Sequence, residues 1–413
     1  MQVVGIIAEY NPFHHGHAFQ ITAVRQHYPN SYIVAAMSGS FTQRGEPCIL
    51  DKWTRARHAI SGGVDLVIEL PFVFACRSAQ DFACGGVSLL SRLAVVSHLA
   101  FGMETPEIGM LSELAAQIDS KPVQEGLHKH LREGLSYAGA LSRSLMANME
   151  VSEEAIRAPN NILAIEYLRA LRSLAPHIAP LGVQRTSAQH GDVQLHTGIT
   201  SASSIRRALK ESPPWEQLEK SVLPCVLDSL KKEYARGLPQ ENILLEFLRY
   251  HFLITDATAL TEIYGISEGI EHRLTRNLTT AVNYRSFLGK TATKRCPQSR
   301  IARLIPHLLL HFKKPQATSF DRDGAAYIRP LAFNTRGREL LRRIKRTSSL
   351  PIITRTASFL TTGQRCRPEH TLSPLQRMLA FDTRATELRH LTLGAFPVQP
   401  CISDFITSPA FLP

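Results

Sequence analysis

Apolar residues recur along the first hundred positions in short unbroken runs. They are Val3-Val4-Gly5-Ile6-Ile7-Ala8 and the stretches 32–37, 64–70 and 95–101. Runs of this length, apolar on both parities, read as strands covered on both faces. Segments with helical spacing lie between them, at 16–27, 51–61 and 78–90. Strand–helix units alternating at roughly 30 residues predict βαβ crossovers and a parallel sheet. The stretches 107–118, 123–131 and 161–174 are predicted helical, and 181–186 reads as a fifth strand. A serine- or threonine-capped helix opens within 200–207. Ser212-Pro213-Pro214 then breaks the pattern. Beyond it helical periodicity prevails at 215–234, 243–252, 269–276, 300–312 and 336–346, with a small strand–turn element near 351–356. The expected organisation is a parallel-sheet α/β domain over 1–213 and a mostly helical domain over 214–413.

Composition narrows the class. The chain has 413 residues, enough for two or three domains with their own cores, and 44% of them are hydrophobic. No stretch approaches the ~20 uncharged apolar residues of a membrane span. The N-terminus runs into a strand without the basic and apolar regions of a signal peptide. A cytoplasmic enzyme with no membrane partner is expected. The seven cysteines, Cys48, Cys76, Cys84, Cys225, Cys296, Cys366 and Cys401, contain no Cys-x-x-Cys pair. They are expected to be reduced and mostly structural, with no metal site. Lys plus Arg number 47 against 35 Asp plus Glu, a net +12 that favours a polyanionic partner.

The chemistry concentrates where the first strand ends. Asn11-Pro12 breaks the apolar run, and His14-His15-Gly16-His17 follows at once. Two imidazoles and a glycine at a strand-to-helix turn can hold nucleotide phosphates, helped by the N–H groups and partial charge of the helix start. Donors fixed there would stabilise charge developing on an α-phosphate. In parallel sheets ligands sit beyond the carboxyl ends of the strands, at the switch point. Gly102, at the end of the fourth strand, should line the same crevice. Asp51 is a plausible cap for a helix on which Lys52 and Arg55 share a face, which could turn toward phosphates or a carboxylate. Ser201-Ala202-Ser203-Ser204-Ile205-Arg206 offers a second anion site of hydroxyls, N–H groups and an arginine. Basic residues cluster later: Lys294, Arg295, Arg300 and Arg303, then Arg336, Arg338, Arg342, Arg343, Lys345 and Arg346. Such clusters are a footprint for a nucleic-acid backbone, and Arg300, Arg303 and His307 fall on one helical stripe.

Taken together these segments resemble the bacterial tRNA(Met) cytidine acetate ligase family. The matching stretches begin with 4–17, Met37-Ser38-Gly39-Ser40-Phe41-Thr42-Gln43-Arg44-Gly45-Glu46-Pro47 and Asp51-Lys52-Trp53-Thr54-Arg55-Ala56. They continue with 65–71, 159–167, 201–206, 266–271, 293–295 and 348–354. The resemblance implies a Rossmann-like nucleotidyltransferase domain of the HIGH type followed by a tRNA-binding domain. It implies ATP as cofactor, with Mg2+ accompanying it, and acetate and elongator tRNA(Met) as substrates. Acetate would attack the α-phosphate, and the wobble cytidine would then take the acetyl group to give N4-acetylcytidine. Carried over by motif, Ile7-Ala8-Glu9-Tyr10-Asn11-Pro12-Phe13-His14-His15-Gly16-His17-Ala18-Phe19-Gln20 lines ATP, joined by Gly102, Asn160 (or its neighbour Asn161), Arg185, Ser201, Ser203 and Arg206. His14, His17 and Lys52 are the expected catalytic residues. Arg55, Lys294, Arg295, Arg300, Arg303, Arg342 and Arg343 are the expected tRNA contacts, with Lys52 and Arg55 each open to phosphate or RNA. Cys296 departs from the resemblance, which leads to expect an aromatic there. Two other readings stand beside this one: a small-molecule adenylyltransferase of cofactor biosynthesis, and a non-catalytic RNA-binding factor with a nucleotide-binding fold.

Overall fold

The fold follows from a computed structural model, which describes residues 2–105, 107–184, 201–367, 369–393 and 403–413. Seven strands form one sheet in the order β5-β4-β1-β2-β3-β6-β7. They are β1 Val3–Ala8, β2 Tyr32–Ser38, β3 Leu66–Leu70, β4 His98–Met103, β5 Ala179–Gln184, β6 Pro330–Phe333 and β7 Ala410–Phe411. The first five are mutually parallel, as the alternation predicts. The chain adds β2 and β3 on one side of β1 and β4 on the other, so the switch point lies between β1 and β4.

The main crossover helices between β2 and β3 and between β3 and β4 start on side-chain caps. Asp51 accepts from Thr54 N ahead of helix Lys52–Ser61, and Ser78 from Asp81 N ahead of helix Ala79–Arg92. Caps of this kind satisfy N–H groups that a helix start leaves unpaired. Close approaches fix the layers. A Cβ on Gly5 would lie 2.7 Å from Leu90, and one on Gly86 would lie 2.5 Å from Ile7.

The second half of the chain does more than add helices. β6 pairs antiparallel to β3, Leu66 opposite Phe333, and β7 extends the edge. Helix Pro374–Leu391 buries Phe381 against Phe72 (6.4 Å between ring centroids) and Phe312 (5.2 Å). Residues on both sides of Ser212-Pro213-Pro214 therefore share one sheet and one hydrophobic cluster. The periodic stretch 215–234 is two helices, Trp215–Glu219 and Pro224–Arg236, because Pro224 starts a new first turn. The segment near 351–356 makes a bridge, Ile328 with Ile352, rather than a strand.

His307 does not join Arg300 and Arg303 on a basic stripe. It is 2% exposed, and its Nε2 lies 2.7 Å from the Cys76 carbonyl oxygen. Burial drives its pKa down to about 3, so the ring is neutral in the fold. His58 is held at about 4, again by burial. Below pH 6.5 the unfolded chain protonates both rings while the native state does not, so stability falls as pH drops toward these values. The expected loss at pH 5 is about 2 kcal/mol for each ring. Urea midpoints at pH 7 and pH 5 check this, and a His307→Gln variant should lose less between them than the parent.

Candidate active site

β1 delivers the chain to the switch point, and the next residues are locked from several sides. Tyr10 takes a left-handed φ of 47°, and the Asn11–Pro12 peptide is cis. Asn11 Oδ1 accepts from Ile49 N (2.9 Å), while its carbonyl accepts from Arg206 Nη1 (3.0 Å). Ile7, Tyr10 and Phe13 are core side chains, so these three can meet a ligand only through backbone. Helix His15–His27 then opens with His14 as its N-cap. His14 Nδ1 accepts from Gly16 N at 3.0 Å, and His17 Nδ1 accepts from His14 N at 3.2 Å. This reciprocal pair is a capping box built from two imidazoles. An accepting Nδ1 places the ring proton on Nε2, so each ring presents an Nε2–H donor. The rings lie 3.9 Å apart between centroids, with Tyr10 and Phe13 packed behind His17 at 4.9 and 5.5 Å.

Gly62 is the other side of that wedge. A Cβ there would lie 2.2 Å from Phe13 Cζ. Gly62→Ala is expected to push Phe13, and with it the backbone of His14. The expected cost is about 1–3 kcal/mol from overpacking, with weaker nucleotide binding; a urea midpoint and a nucleotide titration check the two effects.

β4 supplies the facing wall. Gly102 is half-buried beside the end of β1's neighbour strand, and Gln20 Nε2 donates to Ala100 O (3.4 Å), tying helix His15–His27 to β4. Beyond β4, Glu104 accepts from Asn160 N (3.1 Å) with Oε1 and from Asn161 N (2.8 Å) with Oε2, at the start of helix Pro159–Leu174. Asn161 is fully buried, its Oδ1 accepting from Glu104 N (2.9 Å) and its Nδ2 donating to Ala155 O (2.9 Å). Between the two neighbours, Asn160 is the one partly exposed, and its side-chain amide also donates to Glu104 Oε1. Glu104 was missed by sequence reasoning; the only trace was an acidic residue just after the fourth apolar run. Arg185 lies outside the described residues.

The second anion element meets the first. Ser201 caps helix Ala202–Glu211, accepting from Ser204 N at 3.1 Å, with Ser203 Oγ 3.2 Å away. Arg206 holds the Asn11 carbonyl with one nitrogen and Glu46 Oε2 (3.1 Å) with another. His14, His17, Gly102, Asn160, Ser201, Ser203 and Arg206 thus lie around the carboxyl ends of β1 and β4. Glu9 also ends β1; burial holds its carboxyl above the usual range, while it accepts from Gln43 N (2.7 Å).

Lys52 and Arg55 do share a helix face, but that face turns inward. Lys52 is 1% exposed, its ammonium 2.7 Å from Glu69 and 2.6 Å from Asp404. Arg55 is fully buried and donates to the carbonyls of Leu50 (3.1 Å), Glu9 (2.6 Å), Ser38 (3.1 Å) and Gly39. Lys52 was expected to be catalytic and Arg55 to contact RNA; both are buried and satisfied by partners inside the fold, which are structural contacts. Arg55 still matters to the site, because it fixes the backbone at Glu9.

The two basic clusters lie at opposite ends of the sheet. Helix Gln298–Leu309 packs against the loop after β2, where a Cβ on Gly45 would meet Ala302 O at 2.5 Å. That sets Arg303 and Arg300 on the carboxyl-end side, with Arg300 donating to Ser267 Oγ (2.8 Å). Lys294 and Arg295 are exposed, and Arg295 donates to Leu131 O (3.3 Å) in the helical insertion after β4. Helix Thr335–Thr347 behaves differently. Arg336 donates to the Asn30 and Ser31 carbonyls just before β2, and Thr347 Oγ1 to Leu93 O before β4. Its exposed Arg342 and Arg343 therefore sit by the amino ends of the strands, away from the histidines.

Comparison with known proteins finds relatives along the whole chain. The HIGH Nucleotidyl Transferase family matches residues 1–398. A tRNA(Met) cytidine acetate ligase of Syntrophomonas wolfei is 36% identical over 99% of both chains, and one of Halothermothrix orenii is 31% identical over 95% of both. The crystal structure of ligand-free Thermotoga maritima TmcAL superposes with a TM-score of 0.90 at 31% identity, covering 100% of both chains. The same protein bound with alpha-thio ATP gives 0.87 at 30% identity, covering 100% of this chain and 99% of that one. A shared fold and likeness along the full length place this chain in the tRNA(Met) cytidine acetate ligase family, within the HIGH nucleotidyl transferases.

Proposed function

We propose that the protein uses ATP to activate acetate and then acetylates the wobble cytidine of elongator tRNA(Met), in the cytoplasm. The observation that carries this reading is the imidazole capping box at the β1/β4 switch point. With both Nδ1 atoms accepting backbone N–H groups, Nε2–H is the donor on each ring, at a helix start that favours phosphate.

In the first step a carboxylate oxygen of acetate attacks the α-phosphorus of ATP, and pyrophosphate leaves with the electron pair of the broken P–O bond. Acetate is a weak nucleophile, so rate must come from position and from charge stabilisation. His14 and His17 donate to the phosphate oxygens; Arg206, Ser201 and Ser203 hold the leaving pyrophosphate; Gly102 and Asn160 flank the nucleoside. Mg2+ enters as the ion carried by ATP, a substrate complex. Among the described residues no group of three His, Cys, Asp or Glu could cage a metal. In the second step the cytidine N4 lone pair attacks the acetyl carbonyl carbon, AMP leaves with its oxygen, and one N4 proton passes to solvent.

Lys294, Arg295, Arg300 and Arg303 share an end of the sheet with the histidines and are the proposed contacts to the RNA backbone. Arg342 and Arg343, on the other end, are assigned no contact near the reacting base. Replacing Lys294 and Arg295 by alanine should flatten the salt dependence of RNA binding by about one log unit of slope for each phosphate left without its cation. The same change at Arg342 and Arg343 should leave acetyl transfer less affected.

The deciding experiment supplies protein, ATP, labelled acetate and tRNA(Met) transcript. Label should enter RNA only with all four present. Pyrophosphate release with a phosphorylated cofactor precursor and none with acetate would favour the adenylyltransferase instead.

A further inference from the structure

The residue after β1 carries a carboxyl that the fold uses by half. Glu9 follows Ala8, the last residue of the strand, and precedes the left-handed Tyr10. Arg55 holds its carbonyl (2.6 Å), and Gln43 N donates to its Oε1 (2.7 Å). Gln43 is itself tied down, its Nε2 donating to the Arg77 carbonyl (2.7 Å). Backbone and side chain of Glu9 are therefore both fixed before substrate arrives. Glu9 is half-buried, and its Oε2 has no hydrogen-bond partner among the described residues, yet it is not one of the sealed-off polar atoms: solvent reaches it. A fixed carboxylate thus keeps one oxygen open at the carboxyl end of the sheet.

That oxygen belongs to the flank from which RNA is proposed to come. β1 has β4 on one side and β2 on the other. Gly102 and Asn160 lie on the β4 flank, whereas Gln43 is in the loop after β2, so the Glu9 side chain leans toward β2. The same loop meets helix Gln298–Leu309 at the close approach of Gly45 to Ala302. Arg303 of that helix is half-buried and, among the described residues, makes no ion pair. Burial lowers its pKa, the mark of a guanidinium whose charge is left under-neutralised and is suited to a phosphate. Glu9 therefore stands between the imidazoles of the nucleotide loop and the cations offered to the RNA.

The second half-reaction needs a proton acceptor. The lone pair of cytidine N4 is drawn into the ring, and attack on the acetyl carbon leaves N4 positively charged until a proton departs. A positioned base contributes about 10²–10⁴ in rate to such a step. We infer that Glu9 is this base. Oε2 takes an N4 proton as the N4–C bond forms and the C–O bond to AMP breaks; AMP leaves with the bonding pair, and the proton passes from Glu9 to solvent. The inference rests on the reaction proposed above and names its proton acceptor. The surroundings of Glu9 suit the task. The groups that face it are Arg206 on helix Ala202–Glu211, Arg44 and Glu46 on the loop after β2, the thiols of Cys48 and Cys76, and Tyr167 on helix Pro159–Leu174. Burial pushes the carboxyl up and outweighs the Gln43 N–H and Arg206, which pull it down. A base poised nearer the working pH accepts a proton more readily than an ordinary carboxylate.

The test reads the two steps apart. Chemically prepared acetyl-adenylate, supplied with protein and tRNA(Met) transcript, reports the second step alone; acetate-dependent ATP–pyrophosphate exchange reports the first. Glu9→Gln keeps the side chain's length and an oxygen for Gln43 N but loses the base. Transfer from acetyl-adenylate should fall by about 10²–10⁴, and the ratio of transfer to exchange by at least about tenfold. Transfer by the parent should decline on the acid side, starting above the ordinary carboxylate range, and Glu9→Gln should lack that limb. Glu9→Asp, a base one methylene short, should recover part of the rate and the limb with it. Transfer and exchange falling in parallel, or an acid limb unchanged in Glu9→Gln, would overturn the inference. Should the urea midpoint show Glu9→Gln unfolded, Glu9→Asp decides: transfer as fast as the parent's, with the same limb, would overturn it. A parent that transfers from acetyl-adenylate but shows no exchange would reject the activation chemistry and leave Glu9 to be judged on the second step. No transfer from acetyl-adenylate by the parent would remove both.

Discussion

His17→Ala is expected to lower acetate-dependent ATP–pyrophosphate exchange by about 10²–10³, the usual cost of removing one fixed donor from a developing oxyanion. His17 Nδ1 is held by His14 N and its ring is packed by Tyr10 and Phe13. The donor is therefore aimed before substrate arrives. His14→Ala should lose a similar factor and also about 1 kcal/mol of stability, since His14 caps the helix through Gly16 N. His14→Asn separates the two contributions. Asparagine caps well, so stability should return, while exchange stays low because the amide does not reach where Nε2 does. Exchange kept by both alanine variants would remove the histidines from the chemistry, and absence of exchange from the parent protein would favour a non-catalytic RNA-binding factor.

The nucleotide loop was legible because its signals are local. An apolar run, a chain break at Asn11-Pro12 and a His-x-Gly-His segment lie within a few residues of each other. The parallel order of β1 to β4 follows from alternation alone. The rest depended on contacts distant in sequence. β6 has four residues and begins with proline, and β7 has two, so neither carries a period that a window could detect. The position of helix Thr335–Thr347 hangs on β6, so the sequence could show that its arginines cluster but not at which end of the sheet. Lys52 and Arg55 make the same point. Spacing states that two side chains share a face; it does not state whether that face meets solvent, ligand or core.

The face meets a buried quartet of charges, and it leads to the second large effect. Lys52 Nζ lies 2.7 Å from Glu69 and 2.6 Å from Asp404; Arg329 lies 2.9 Å from Glu69 and 2.6 Å from Asp404. Two cations and two carboxylates balance, with the Trp53 ring 5.7 Å from Lys52 and 5.4 Å from Arg329. Burial alone would raise the Asp404 carboxyl, but Arg329 and Lys52 outweigh it and hold it down to about 2. Its contribution to stability is therefore present above the usual carboxylate range near pH 4 and is lost as pH falls through about 2. Asp404→Ala would leave two buried cations facing Glu69 alone. A buried pair broken on one side costs about 3–5 kcal/mol, and the urea midpoint should fall accordingly. Lys52→Met breaks the same quartet from the other side and should also lose stability. Measured per folded molecule, it should keep acetate-dependent exchange, since its ammonium touches only carboxylates of the core. Soluble, folded Lys52→Met without exchange would return this lysine to the reaction.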